Sequence, residues 1–339
     1  MHILVIRFSS LGDVVLASAA LHALAESHPG AEILFATKDS YLPLFDAFKG
    51  TMRVVPLRER QGLSEYISSL GDGHFDLVVD LHGSLRSRSL TARLRAGEIR
   101  RVDKHTRQRW QMVWSKGGLN NPLSVVDAYL DAAGAPGMGV RPRLYLSESE
   151  QARAMAGARE NPRAMGIGWG AKHPTKSIPS DLWKRLILSS QDKSPLHIGI
   201  FGLQSDNDDI KQFVSHDLHG IGGITVETFV GLPLREVMVK MSSCGAFVSS
   251  DSGLMHLADA LGVPSFGLFG PTHPALGFAP AGERSRAFHA GTWCSPCHRH
   301  GSAPCFRARR FCFDELDVAA IADAVASAWQ YPGRSAQPQ

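Results

Sequence analysis

Three strings in this 339-residue sequence combine residues that do chemistry with small residues that let a backbone come close. In the first, Arg7-Phe8-Ser9-Ser10-Leu11-Gly12-Asp13 follows an apolar run. A carboxylate there stands at the carboxyl edge of the sheet, where ligands of α/β folds bind. Taken alone, this aspartate reads first as a helix N-cap, accepting from free backbone donors. In the second, Lys172 and Lys176 sit within Gly170–Pro179 and suit the charge of a diphosphate, although exposed lysines are most often solvated and idle. The third, Ser249-Ser250-Asp251-Ser252-Gly253-Leu254-Met255-His256, reads as a strand end turning into a helix. Free N–H groups and the helix dipole favour an anion at such a turn. The plain alternative is a capped helix with His256 packed inside.

Two further clusters stand apart. Cys294, Cys297, Cys305 and Cys312 lie within 19 residues, beside His298 and His300. Four thiolates satisfy a tetrahedral zinc ion, and the opening Cys-x2-Cys suits it, but free thiols, disulfides and an iron–sulfur centre compete with that reading. Between Arg86 and Arg109 nine residues are Arg or Lys, Arg88 among them, against Glu98 and Asp103. Such a run is either a solvated face or a surface that attracts an anionic saccharide or an anionic membrane. It has no interleaved aromatic before Trp110, which disfavours single-stranded nucleic acid.

The elements that must position these residues alternate from the start. HILVIRF (2–8), EILFATK (32–38), MRVVPL (52–57) and FDLVVDLHG (75–83) read as strands, with helices over Asp13–Ser27 and 123–134. AMGIGWG (164–170), LHIGIFG (196–202), GAFVSSD (245–251) and VPSFGLFG (263–270) repeat the design. Helices fit near 180–190, 205–214, 233–243, 253–261 and 315–329. Strands alternating with helices give parallel sheets, and the polar, alanine-rich 147–163 separates two such domains, 1–155 and 156–339. Ligands of such folds bind at the carboxyl ends of the strands, here in a central cleft between the domains.

Length agrees with two domains. A hydrophobic content of 44% with 20% charged residues is that of a soluble globular protein, and the formal charge of +4 gives no general affinity for nucleic acid. With no signal-peptide pattern and no uninterrupted apolar span of membrane length, the expected location is the cytoplasm. The Gly-x-Gly-x-x-Gly and Gly-Lys-Ser/Thr patterns of dinucleotide and P-loop sites are missing after the first strand.

In this order, Ser9-Ser10-x-Gly12-Asp13, the Lys176-x-apolar-Pro arrangement and Asp251-Ser252-Gly253-Leu254-x-His256 closely resemble glycosyltransferase family 9, the ADP-heptose:lipopolysaccharide heptosyltransferases. The resemblance implies a GT-B fold: two Rossmann-like doubly wound α/β domains facing a cleft, the first binding the acceptor and the second the donor. It implies inverting, metal-independent transfer, with no cofactor for the reaction and zinc, if any, as structural. Asp13 becomes the general base and Ser9, Ser10 and Gly12 its loop support. Lys176 becomes the diphosphate clamp, Ser252 and Gly253 backbone donors to the same diphosphate, and Asp251 and His256 the residues that shape that turn. Asp206 is placed at the ribose and Leu232 at the adenine, which makes ADP-heptose or a similar nucleotide sugar the donor. An anionic lipid-linked saccharide is the implied acceptor, with Arg86 and Arg88 as its contacts and peripheral attachment at the inner face of the inner membrane. The family often has hydroxyl residues at Ala171 and Lys172 and a glutamate at Asp206, so donor contacts differ in detail.

Overall fold

A computed structural model describes residues 1–48, 50–71, 73–191 and 195–330. The chain forms two compact units, Met1–Thr106 with Ser124–Tyr145, and Arg107–Leu123 with Leu146 onward.

In the first unit the strands are β1 (His2–Ile6), β2 (Glu32–Lys38), β3 (Met52–Leu57), β4 (His74–Asp80) and β5 (Arg95–Arg101), in the order β3-β2-β1-β4-β5. All are parallel. Ile3, Leu4, Val5 and Ile6 are wholly buried because helices cover both faces of a parallel sheet, which is why β1 reads as an unbroken apolar run. Leu4, Ile6, Leu34, Val55, Tyr66, Val78 and Leu90 form the core on one side. Strand β5 escapes a hydrophobicity reading: it is the edge strand RAGEIRR, whose charged side chains belong on an exposed edge.

The second sheet contains β6 (Ala164–Gly168), β7 (Leu196–Gly202), β8 (Ile224–Val230), β9 (Ala246–Ser250), β10 (Ser265–Phe269) and β11 (Arg286–His289), in the order β11-β10-β9-β6-β7-β8 and again parallel. Trp183, Ile187, Ile198, Ile200, Val248, Leu268 and Val325 meet in its main core. The two strands not anticipated, β8 and β11, are the short or half-exposed edges. The fold class is the expected one, two doubly wound α/β units of the GT-B type.

Two local details differ from the sequence reading. The first helix starts at Leu11 rather than at Asp13 and is interrupted at Ala17. Ser10 is its N-cap, with Asp13 at the third helical position reaching back to the Ser10 N–H, so the N-cap role considered for Asp13 belongs to Ser10. The polar stretch 147–163 is a helix, Glu148–Glu160, started by a capping box in which the Ser147 N–H donates to Glu150 Oε2 at 2.8 Å. This helix packs on Leu234–Ser242 through Arg235 Nε to Glu150 Oε1 at 2.8 Å and Arg153 Nη1 to Glu236 Oε1 at 3.0 Å. It therefore lies in the second unit, and the division falls at Tyr145/Leu146 rather than at residue 155. Arg107–Leu123 also belongs there, since Met112 and Val113 pack on Leu276 and the Leu123 N–H donates to the Ala275 carbonyl at 2.9 Å.

Candidate active site

In the first unit, β1 ends at Ile6 and the chain turns through Arg7, Phe8, Ser9 and Ser10 into the helix bearing Gly12 and Asp13. Both oxygens of the Asp13 carboxylate are engaged. Oδ1 pairs with Arg7 Nη2 at 2.7 Å and accepts from the Tyr129 hydroxyl at 3.4 Å. Oδ2 accepts from the Ser10 N–H at 3.1 Å and from Ser10 Oγ at 2.8 Å. Burial pushes this carboxyl up, but the Arg7 charge and the hydrogen bonds from Ser10 and Arg7 outweigh it and hold the group below its ordinary range. Asp13 is thus a fixed, ionised carboxylate.

Arg7 also joins two loops, because its Nη1 donates to the Leu81 carbonyl at 2.7 Å just beyond β4. There Asp80, completely buried, accepts from the N–H groups of His82 and Gly83 at 3.0 and 2.8 Å and from Ser87 Oγ at 2.9 Å. His82 packs edge-on against Phe8, and burial, then the Arg7 and Lys104 charges, pushes it down to about 4, so its imidazole is neutral near pH 7. Arg86 lies over the Phe8 ring at 5.9 Å and donates to the Gln61 carbonyl at 3.2 Å. Arg88 is exposed on the helix Leu85–Thr91.

In the second unit four neighbouring strands bring their loops to one carboxyl edge. After β6, Lys176 ends the short turn Pro174–Lys176 and places its Nζ 2.6 Å from Asp251 Oδ2 at the end of β9. Thr272 Oγ1 donates to the same oxygen at 2.8 Å. Burial pushes the Asp251 carboxyl up, while Lys176, His256 and Thr272 more than offset this and hold it below its ordinary range. Ser252 caps the helix Gly253–Ala260, with its Oγ 2.9 Å from Ser249 Oγ, and His256 is buried on that helix. Lys172 is exposed.

Beyond β7, Asp206 Oδ2 accepts from the Leu203 N–H at 2.8 Å. Gly170 lies against this carboxylate so closely that a Cβ there would stand 2.6 Å from Oδ2. The strand β8 leads through Gly231, at φ +65°, to the exposed Leu232, so a strand absent from the sequence reading carries the proposed adenine contact. The structure thus joins Lys176 to Asp251 directly and sets Asp206 against the loop after β6.

Sequence reasoning missed Arg7 as a partner, along with Tyr129, Asp80, His82 and Thr272. The one available signal was Arg7 itself, a charge closing an apolar run; Tyr129 and Thr272 lie on distant helix and loop positions with no local mark.

Cys294, Cys297, Cys305 and Cys312 are free thiols lining one cavity with Gly270, Pro271, Phe306 and Arg310. Among the described residues no three His, Cys, Asp or Glu side chains are arranged to hold a metal ion. Burial, followed by the other three sulfurs, pushes the Cys312 thiol up to about 12. The donor chemistry suits zinc, but the sulfurs are not gathered as zinc ligands. Among the described residues no helix is long and apolar enough to cross a membrane.

Residues 64–304 match glycosyltransferase family 9 (heptosyltransferase). Lipopolysaccharide heptosyltransferase 1 of Pseudomonas aeruginosa is 25% identical over 321 residues, covering 88% of this chain and 86% of its own. Among solved structures, Escherichia coli ADP-heptose lipopolysaccharide heptosyltransferase II superposes with a TM-score of 0.70 at 18% identity, covering 97% of this chain and 99% of its own. Escherichia coli heptosyltransferase WaaC with ADP gives 0.67 at 19%, covering 97% and 100%.

Proposed function

Because the chain belongs to glycosyltransferase family 9, and is a glycosyltransferase, we propose that it transfers a heptose from ADP-heptose to a lipopolysaccharide inner-core saccharide. The transfer inverts the anomeric centre and uses no metal ion. The observation that carries the reading is the Asp13 carboxylate, held ionised at the carboxyl edge of the first sheet by Arg7 and Ser10.

Asp13 accepts the proton of the acceptor hydroxyl while that oxygen attacks the anomeric carbon and the bond from that carbon to the diphosphate breaks. A carboxylate of lowered basicity takes the proton only as the new C–O bond forms, since the hydroxyl becomes acidic in that motion. The departing ADP carries negative charge, which the Lys176 ammonium and the N–H groups of Ser252 and Gly253 stabilise. Asp251 and Thr272 hold Lys176 in place, and His256 supports Asp251 from the helix. Asp206 receives the ribose hydroxyls, and Leu232 lies against the adenine. Arg86 and Arg88 meet the anionic groups of the acceptor, which is presented at the inner face of the membrane from the cytoplasm. A zinc held by Cys294, Cys297, Cys305 and Cys312 would be structural, since four thiolates leave no open coordination position, and would take no part in the transfer.

The direct test is incubation of purified protein with ADP-heptose and an inner-core acceptor, reading ADP release and the anomeric configuration of the product. Release of ADP with the inverted product is expected. Transfer from UDP-sugars but not from ADP-heptose overturns the donor assignment.

A further inference from the structure

Among the described residues, the exposed tryptophan and phenylalanine side chains all fall in two stretches of the second unit, 107–117 and 293–311. Trp114 is 77% exposed, Trp293 69% and Phe306 67%. The stretches are tied together: Lys116 Nζ donates to the carbonyls of Cys294 and Pro296, and the Arg299 guanidinium lies 4.4 Å from the centre of the Trp110 ring, whose neighbour at 5.3 Å is Trp114. Arg307 stacks on both Trp293 and Phe306, at 4.3 and 5.1 Å. Neither stretch contains an Asp or Glu, while 293–311 alone carries Arg299, Arg307, Arg309 and Arg310.

Single exposed apolar residues need no explanation, but a group of exposed aromatic rings set among arginines, of which Arg309 is paired with Asp314 at 3.2 Å, marks an interaction surface. The ring faces narrow the partner. Guanidinium groups already occupy faces of Trp110, Trp293 and Phe306, which opposes the base stacking that a single-stranded nucleic acid needs. A guanidinium stacked on a ring keeps its N–H edges free for phosphate oxygens, while aromatic side chains settle at the boundary of headgroups and acyl chains. Anionic headgroups with an apolar layer beneath them match both halves of this surface.

We infer that this Arg–aromatic surface of the second unit docks the enzyme on an anionic phospholipid membrane. The inference rests on the reading that the acceptor is lipid-linked, and moves the membrane contact away from the basic stretch that begins at Arg86. The same loop reaches the donor lysine, because Thr175 Oγ1 donates to the Gly301 carbonyl and the Lys176 stem packs on Gly301.

The experiment is co-sedimentation of the full chain with vesicles of phosphatidylglycerol and phosphatidylcholine, against phosphatidylcholine alone, at low and high salt. Binding to the anionic vesicles only, weakened by salt, is expected. The double variant Trp293→Ala/Phe306→Ala should lose at least about tenfold in binding. Arg307→Gln should lose about fivefold, the worth of one cation near such a surface. Arg93→Gln/Arg95→Gln, on the first unit, should bind like the parent. ADP-induced thermal stabilisation, unchanged in every variant, verifies that each remains folded. Equal binding to neutral vesicles, no binding to anionic ones, or undiminished binding by the Trp293/Phe306 variant overturns the inference. So does loss of binding confined to the Arg93/Arg95 variant. Transfer to a water-soluble acceptor fragment reports separately on the functional reading: its failure in the parent protein strikes that reading and leaves the vesicle result standing.

Discussion

The two units each place an aspartate–cation pair at the carboxyl edge of a parallel sheet, yet the more exposed member is the acid in one and the base in the other. In the first, the Asp13 side chain is 19% exposed and Arg7 only 10%. In the second, Lys176 is 14% exposed and Asp251 only 9%. The cation in the first pair is an arginine, always charged and anchored to the Leu81 carbonyl, which fixes and ionises the carboxylate in front of it. In the second, the buried member is the carboxylate, anchored by Thr272, and the more open member is a compact ammonium on a flexible stem. In the proposed mechanism the same two charges serve as a proton acceptor where the acid is the more open member and as an anion holder where the base is.

The comparison breaks first at Asp13. Asp13→Asn keeps size and the hydrogen bond from the Ser10 N–H but cannot take a proton, and should lower turnover by on the order of 10²- to 10⁴-fold with ADP affinity unchanged. Near-normal turnover at saturating donor and acceptor would falsify the base assignment. At the other pair, Lys176→Ala should cost about 10- to 100-fold in donor handling, the scale of losing a charge-assisted hydrogen bond, and spare the acceptor KM. Unchanged ADP affinity, read by titration calorimetry, would place the diphosphate elsewhere.

Arg7→Met sharpens the contrast, because it removes the largest influence that lowers the Asp13 carboxyl. The depressed carboxyl keeps the parent enzyme's base ionised below the ordinary aspartate range of about 3.9. Its contribution to stability is likewise present above that range and lost as pH falls through the folded-state value. In Arg7→Met the acid limb of the pH–rate profile should move to higher pH, with turnover falling several-fold as the carboxylate loses its anchor. An unmoved acid limb assigns Arg7 a packing role only.

The smallest effect on transfer is expected outside both pairs. Cys297→Ser should leave transfer unchanged and lower Tm, and freshly reduced protein should contain about one zinc per chain. Metal analysis that finds none removes the zinc from the reading, and an unchanged Tm removes the structural role of the cavity.

Much of the scaffold was legible locally. The buried central strands β1, β6, β9 and β10 read as apolar runs because parallel strands covered on both faces carry no polar alternation. The edges β5, β8 and β11 did not, since half-exposed strands mix charge and apolar residues. The junction near 155 failed for a related reason: a polar helix with alanine on its inner face announces neither unit, and its ion pairs to Arg235 and Glu236 come from residues over 80 positions away.

By itself, the sequence determined the candidate residues for chemistry, the alternation of strands and helices, and the turns that deliver Asp13, Lys176 and Asp251 to strand ends. Those properties depend on periodicity and capping within about ten residues. Only the tertiary structure decided who pairs with whom: Tyr129 with Asp13, 116 positions apart, and Thr272 with an Asp251 that also holds Lys176. In parallel sheets the strand order sets which loops become neighbours, and that order follows from how crossover helices pack on the sheet faces, a global balance of burial that no local window contains.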